Sequence, residues 1–291
     1  TLSGSIGGDI ENNKSVLYYA SYDNEVVAPK KDFNVEILSN EYDASLNSRN
    51  EGCITFNGTL TSIPAACFTY IEPTDGNLTY VTIAEGVTSI GSGAFAFNII
   101  ADVDFPSTLK EIKNGAFHNC ALSERENLFS FNEGLTEIGY EAFMTSNTES
   151  PSSVITDKNT VIFPASLTSI GESILSGRDV AKVVINCKSF DMKSLYGISN
   201  VSDLKVESNA ESLTYTPSKD INGIQVLTLG TNTKEVDVRW LIKTMTGIGN
   251  GGVIINALTP PTILNNGNLS NPPYGQIRVI VPSESLATYK N

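Results

Sequence analysis

The sequence predicts a mostly β solenoid with short helical turns and capped ends, and three observations carry that prediction. A fifteen-residue phrase recurs, as ITFNGTLTSIPAACF from residue 54, VTIAEGVTSIGSGAF from 81, VDFPSTLKEIKNGAF from 103, FSFNEGLTEIGYEAF from 129 and VIFPASLTSIGESIL from 161. The copies align without a gap, while their starts are spaced by 27, 22, 26 and 32 residues. All length variation therefore falls between copies, as expected when each copy is one coil of a stack and the insertions are surface loops. Within a copy the apolar residues first alternate and then step by three, so one extended piece gives way to another element.

Taken in chain order, residues 16–19 and 35–38 read as strands, with a turn at Asp23-Asn24. They predict a β-rich cap over residues 1–52, shielding the first coil's strand edge. Each copy then opens with a strand: Val81 and Ile83, or Val103 and Phe105, alternate with Thr82 and Asp104. Pro106 and Pro164 end it, because proline donates no ladder hydrogen bond. The pairs Val87/Ile90 and Leu109/Ile112 predict a bend, a bulge or a second extended piece turning a corner. Gly91, Gly139 and Gly171 come next, but Pro64 and Lys113 share their position, so a positive φ there is convenient rather than obligatory. The closing pairs Ala94-Phe95, Ala116-Phe117, Ala142-Phe143, Cys67-Phe68 and Ile174-Leu175 predict a single helical or 3₁₀ turn. Its large residue fills the coil interior, and stacking places these anchors in a column. Each such burial stabilises by roughly 1.5–3 kcal/mol.

Beyond residue 182 the phrase fades. KVVINC, DLKVES and IQVLTLG still supply strands without the Ala-Phe turn. DVRWLIKTM places Val238, Leu241, Ile242 and Met245 on one helical face with Trp240 and Lys243 flanking, and SESLATYK reads as a short helix begun by Ser283 as N-cap. The organisation predicted is a cap over 1–52, regular coils over 53–182, and degenerate coils with a C-terminal cap over 183–291, in one continuous solenoid.

Composition narrows the function classes. With 32 acidic against 19 basic residues the net charge is -13, which repels nucleic-acid backbones and anionic headgroups, so no nucleic-acid partner is expected. No apolar run approaches a membrane span, so no membrane insertion of this segment is expected. The chain starts at Thr1 without a signal-like stretch, which reads as a processed mature segment.

Candidates for chemistry are few. GIGNGG at 247–252 matches a dinucleotide fingerprint formally, but it follows a predicted helix instead of opening one, and reads as a turn. His118, the single histidine, rules out multi-histidine zinc sites and reads as an exposed loop residue. No cofactor and no metal is expected. Cys53, Cys67, Cys120 and Cys187 form no C-x-x-C pair, and Cys67 and Cys120 take positions that want a small buried residue, so free buried thiols are expected, with one disulfide as the alternative. Glu111 and Glu137 share one repeat position in adjacent coils, the one carboxylate pair that could serve glycoside hydrolysis. Their counterparts are Ser62, Ser89 and Ser169, so the pair reads instead as part of a solvated outward row. The outward strand row Thr55, Thr82, Asp104, Ser130 and Ile162 reads as a small polar face without aromatic platforms.

The copies between 54 and 175, which approach the phrase IPxxVTSIGxxAF with x for variable positions, resemble the BspA-like leucine-rich repeat family, as do LYYASYDNEVVAP, ALTPPTI and IRVIVPSESLATYK near the ends. The resemblance implies a leucine-rich-repeat solenoid, extracellular or at a bacterial cell surface, used for interaction and lacking a catalytic apparatus. The expected function is a non-enzymatic scaffold for a host or bacterial surface protein or glycan, with Lys110, Glu111, Thr136, Glu137, Thr168 and Ser169 as the ligand-binding face. A carbohydrate-active parallel β-helix enzyme and a structural spacer without a ligand are the alternatives.

Overall fold

The computed structural model describes residues 14–46, 49–72, 77–122, 129–146, 160–178, 180–198, 204–216, 224–237, 239, 252–264 and 278–290. They fall into two compact units, Thr1–Arg125 with Gly134–Thr145, and Glu126–Glu133 with Ser146–Asn291.

The first unit holds β1 (Val16–Ser21), β2 (Ile37–Tyr42), β3 (Gly52–Phe56), β4 (Ser62–Ile63), β5 (Leu78–Thr82), β6 (Ser89–Ile90), β7 (Asp102–Asp104), β8 (Glu111–Ile112) and β9 (Glu137–Ile138). The step of three apolar residues resolves as the corner: in the copies beginning at 54, 81 and 103 the opening strand lies in one sheet and the two-residue strand in another, whereas the copy beginning at 129 opens without the expected strand, Ser130 making only an isolated bridge to Ile162. In the second sheet β4, β6, β8 and β9 pair in parallel and in register, Ile63 beside Ile90 beside Ile112 beside Ile138. The first sheet runs β2-β3-β1-β5-β7.

That order corrects one expectation about the N-terminus. Strand β1 does not lie over the end of the stack. It enters antiparallel between β3 and β5, pairing Tyr18 with Cys53 on one side and Thr82 on the other. The second predicted strand sits two residues later than the sequence pattern put it. The first coil's strand edge is covered by β2, antiparallel to β3, and residues 30–36 bond along the rest of that coil. The Lys30 amide donates to Cys67 at 2.8 Å and the Asn57 amide donates to Glu36 at 2.8 Å. Asn34 donates through its amide nitrogen to the Thr59 carbonyl at 3.2 Å and accepts from the Thr61 amide at 3.1 Å.

The turn closing each copy explains why the phrase is so rigid in length. Alternate amides bond back three residues, Ala94 to Gly91 at 3.1 Å and Ala116 to Lys113 at 3.2 Å, in 3₁₀ fashion. Those between them reach the next coil, Gly93 to Asn114 at 2.9 Å, Phe95 to Ala116 at 2.8 Å and Phe117 to Ala142 at 2.8 Å. The left-handed residue is not the predicted glycine but the position two later, Ala66, Gly93, Gly115, Glu141 and Ser173 in the five copies, with φ between 51° and 62°. Gly91 and Gly139 serve a different need. A Cβ on either would lie 2.4 Å from a backbone nitrogen of the preceding coil, Ala65 or Asn114.

Inside, the anchors stack. Phe68, Phe95, Phe117 and Phe143 have successive centroid separations of 5.4, 5.1 and 5.5 Å with planes within 12° of parallel. Phe33 of the cap extends the column at 6.1 Å from Phe68, and Phe105 meets Phe117 edge-on at 5.7 Å.

The second unit contains β10 (Thr160–Phe163), β11 (Ser169–Ile170), β12 (Lys182–Ile185), β13 (Ser189–Asp191), β14 (Leu204–Ser208), β15 (Ser212–Thr214), β16 (Ile224–Leu229), β17 (Glu235–Asp237), β18 (Gly252–Ile255), β19 (Thr262–Leu264) and β20 (Arg278–Ile280). Strands β10, β12, β14, β16, β18 and β20 form one parallel sheet in that order, and β13, β15, β17 and β19 a second. Coils therefore continue where the phrase fades. The small-plus-large pair even survives once, as Ser194-Leu195 in a 3₁₀ helix over Met192–Leu195, started by the Asp191 carboxylate accepting from the Lys193 amide at 3.0 Å. Leu175, the fifth anchor, is buried. At the C-terminus a 3₁₀ turn over Ser283–Ser285 leads into α1 (Leu286–Lys290), but Pro282 rather than Ser283 holds the N-cap position and no side chain caps it. The helix expected around Val238, Trp240, Leu241, Ile242, Lys243 and Met245, and most of GIGNGG, lie outside the described residues.

Candidate interaction surface

The parallel register of the second sheet fixes which side chains line up. Ile63, Ile90, Ile112 and Ile138 point inward and are buried, so the neighbouring positions point out. Two outward columns result, Thr61, Thr88, Lys110 and Thr136, and beside it Ser62, Ser89, Glu111 and Glu137. Backbone bonds fix the spacing, the Lys110 amide donating to Thr88 at 2.9 Å and the Thr136 amide to Lys110 at 2.8 Å. The threonines close the ladder from the side: the Thr136 hydroxyl donates to the Lys110 carbonyl at 3.0 Å and the Thr88 hydroxyl to the Thr61 carbonyl at 3.2 Å.

Four of the six residues expected on the binding face, Lys110, Glu111, Thr136 and Glu137, are thus brought together on the first unit. Thr168 and Ser169 are exposed on the second unit, Ser169 opening β11.

The carboxylate pair is not set up for acid–base chemistry. Glu111 and Glu137 are register partners, and the Lys113 ammonium lies 3.1 Å from the first and 2.9 Å from the second. The Lys113 hydrogen bond holds the Glu111 carboxyl below its ordinary range, and the two carboxylates, Glu137 foremost, raise the ammonium. A glycosidase needs one carboxyl that keeps its proton near neutrality, and a shared cation works against that.

On the outer side of the first sheet the expected polar row is partly covered. Thr82 is buried, and its hydroxyl lies 3.4 Å from the Asp104 carboxylate, which also accepts from the Tyr80 hydroxyl. Next to them the Arg49 Nη1 meets the buried Asp102 at 2.6 Å and its guanidinium lies over the Tyr80 ring at 5.0 Å. The sequence reading missed this group because Arg49 lies between strands, outside any repeat.

His118 is not the exposed loop residue expected. Its side chain is 23% exposed, its ring lies 5.4 Å from Phe97 and its Nδ1 is 3.7 Å from Glu141. All four cysteines are free thiols, three of them buried and Cys53 half-buried. Burial pushes the Cys67 thiol up to about 12 and the Cys187 thiol to about 11, so neither is a nucleophile near neutrality. Among the described residues no group of His, Cys, Asp and Glu forms a metal-ligand cluster, and no helix is long and apolar enough to cross a membrane.

No curated protein matches the chain in sequence. Among solved structures it is similar to the crystal structure of a leucine-rich repeat protein from Bacteroides ovatus, at 12% identity and a TM-score of 0.35, over 84% of this chain and 69% of that one. The sequence model of the BspA-type leucine-rich repeat region matches residues 36–162 and 152–239 in six copies. The match runs through the segment where the Ala-Phe turn is lost, where the structure also finds coils, and so the chain belongs to the BspA-type leucine-rich repeat family.

Proposed function

We propose that this protein is a non-enzymatic interaction scaffold, secreted or held at a bacterial cell surface, whose second-sheet face binds a protein or glycan partner. The reading rests on one observation: the outward columns of the second sheet are fixed by backbone register, and they change from Thr and Ser in the first two coils to Lys110, Glu111 and Glu137 in the next two. A surface whose backbone is already ordered and which carries a local charge pattern suits recognition, since no main-chain ordering has to accompany binding. Solenoids build extended surfaces of this kind by stacking.

The test is a binding screen of the purified chain against glycans and extracellular-matrix proteins. It is repeated with Lys110, Glu111, Thr136 and Glu137 changed to Ala, and again with Thr168 and Ser169 added. Loss of a bound partner in the first variant supports the face; unchanged binding in both variants removes it. Release of reducing sugar from polysaccharides would favour an enzyme instead.

A further inference from the structure

A second surface of the first unit carries a strip of apolar side chains where the coil turns run on into loops. Tyr22 is 69% exposed, Ile71 68%, Phe97 49% and Ile99 39%. Backbone bonds hold the strip together. The Tyr70 amide donates to Ala96 at 3.0 Å and the Tyr22 amide to the Asn77 carbonyl at 2.8 Å, while the Asn77 side chain accepts from the Ile99 amide at 2.8 Å.

Phe97 is the anomaly within it. Its φ is 66°, in the left-handed region that a bulky side chain enters at a cost. The matching turn positions of other coils hold Asn119 (φ 57°) and Gly177 (φ 78°), the residue types that region favours. Burial does not offset the cost, since half of Phe97 faces solvent. The bond from the Phe97 amide to the His118 carbonyl at 2.7 Å holds that backbone and one side of the ring lies 5.4 Å from the His118 ring, which leaves the other half of the side chain outward and open to a partner.

We propose that this strip docks a partner protein through a segment that sets an aliphatic or aromatic anchor beside a Lys or Arg. Phe97 and Ile99 receive the anchor, in the manner of a buried interface hot spot. Next to Ile99 opens a recess lined by Asn24, Arg49, Glu51 and Tyr80, where Arg49 is neutralised by Asp102. The exposed carboxylates of Asp23, Glu25 and Glu72 border the strip, on a chain of net charge -13, and select for a basic segment. Aliphatic Ile71 and Ile99 suit a protein anchor better than a sugar ring, and the acidic border repels anionic headgroups.

The strip is distinct from the second-sheet face, so the experiment separates the two. A random-peptide phage library is selected on the intact chain, and an enriched peptide is synthesised and titrated by fluorescence polarisation. The expected peptides join an apolar anchor to a Lys or Arg, weaken in high salt, and lose affinity about tenfold or more for Phe97→Asn. The same peptides bind the Lys110/Glu111/Thr136/Glu137 alanine variant unchanged. Phe97→Asn should melt no lower than the wild type, because asparagine tolerates the left-handed backbone. A lower melting midpoint would make the ring structural and overturn the proposal. So would failure to enrich basic-apolar peptides, peptide affinity indifferent to Phe97→Asn, or a Phe97-dependent affinity for glycans or lipid vesicles in place of peptides.

Discussion

The two units build the same kind of coil with different interiors. In the first, second-sheet strands are two residues long and the interior is a column of phenylalanines delivered by the turn. In the second, β13, β15, β17 and β19 are three residues long, the first-sheet strands β12, β14 and β16 run four to six, and the buried residues are mainly aliphatic, Val183, Ile185, Val206, Leu213, Leu227 and Val236 among them. What the two share is in-register parallel pairing of the backbone. The ladder is therefore the constant of this fold, and the Ala-Phe turn is one way of filling it.

The sharpest way to break the comparison is to remove an anchor from each interior. Phe117→Ala should cost about 3–5 kcal/mol, leaving a cavity between two stacked rings, and Leu213→Ala about 2–5 kcal/mol. Chemical denaturation reads both, and an unchanged midpoint for Phe117→Ala would remove the column from the core. Next in size is Gly139→Ala, whose new Cβ would meet the Asn114 backbone at 2.4 Å; we expect a loss of roughly 1–3 kcal/mol. Its control is Gly93→Ala, where φ is +62° but nothing lies within 4 Å, so only the backbone preference of about 1 kcal/mol applies. Equal losses would mean that close approach between coils does not matter.

A smaller effect comes from the outward columns, which carry charged bridges in both units, Lys113 with Glu111 and Glu137 in the first and Lys234 with Glu211 at 2.7 Å in the second. Lys113→Met should cost at most about 1 kcal/mol near neutral pH, since the groups are partly exposed and screened by salt. Glu111 titrates below its ordinary value of 4.5 when folded, so its contribution is complete above that value and disappears as pH falls through the folded one. Lys113 titrates above 10.5, so its contribution is complete below that value and is lost as pH rises through the folded one. The difference between variant and wild type should thus be greatest between these limits in a pH series of melts, and a difference that grew in acid would contradict the bridge. Smallest is Ala66→Gly, which relieves a φ of 54° but loosens the unfolded chain, for a net gain of about 0.5 kcal/mol.

The repeat made the coils legible because stacked coils demand the same residue at the same place. The corner at Val87 and Ile90 and the anchors at Phe95 and Phe117 could be read directly. What was missed follows from the same logic. The left-handed position holds Ala66, Glu141 and Ser173 as readily as Gly93, because the lateral amide bonds impose that backbone whatever side chain is present. The glycines at 91 and 139 looked like conformational devices, whereas they answer to a neighbour distant in sequence. Coils beyond residue 182 were obscured because aliphatic strands there need no recurring phrase. Of the candidate face, the sequence located the columns but not the role of Lys113, whose two partners come from different coils.

Strand β1 makes two rungs of the first sheet where the second sheet has one, so coils β3–β4 and β5–β6 are splayed by an extra strand width of about 4.8 Å on one side. Tension applied at the amino end would draw out a rung held between two neighbours, not peel a terminal lid. The wedge would then shut, β3 meeting β5 or leaving both without a partner. A load from that direction is therefore felt first in the middle of the sheet, and the first unit carries a mechanical fuse between β3 and β5.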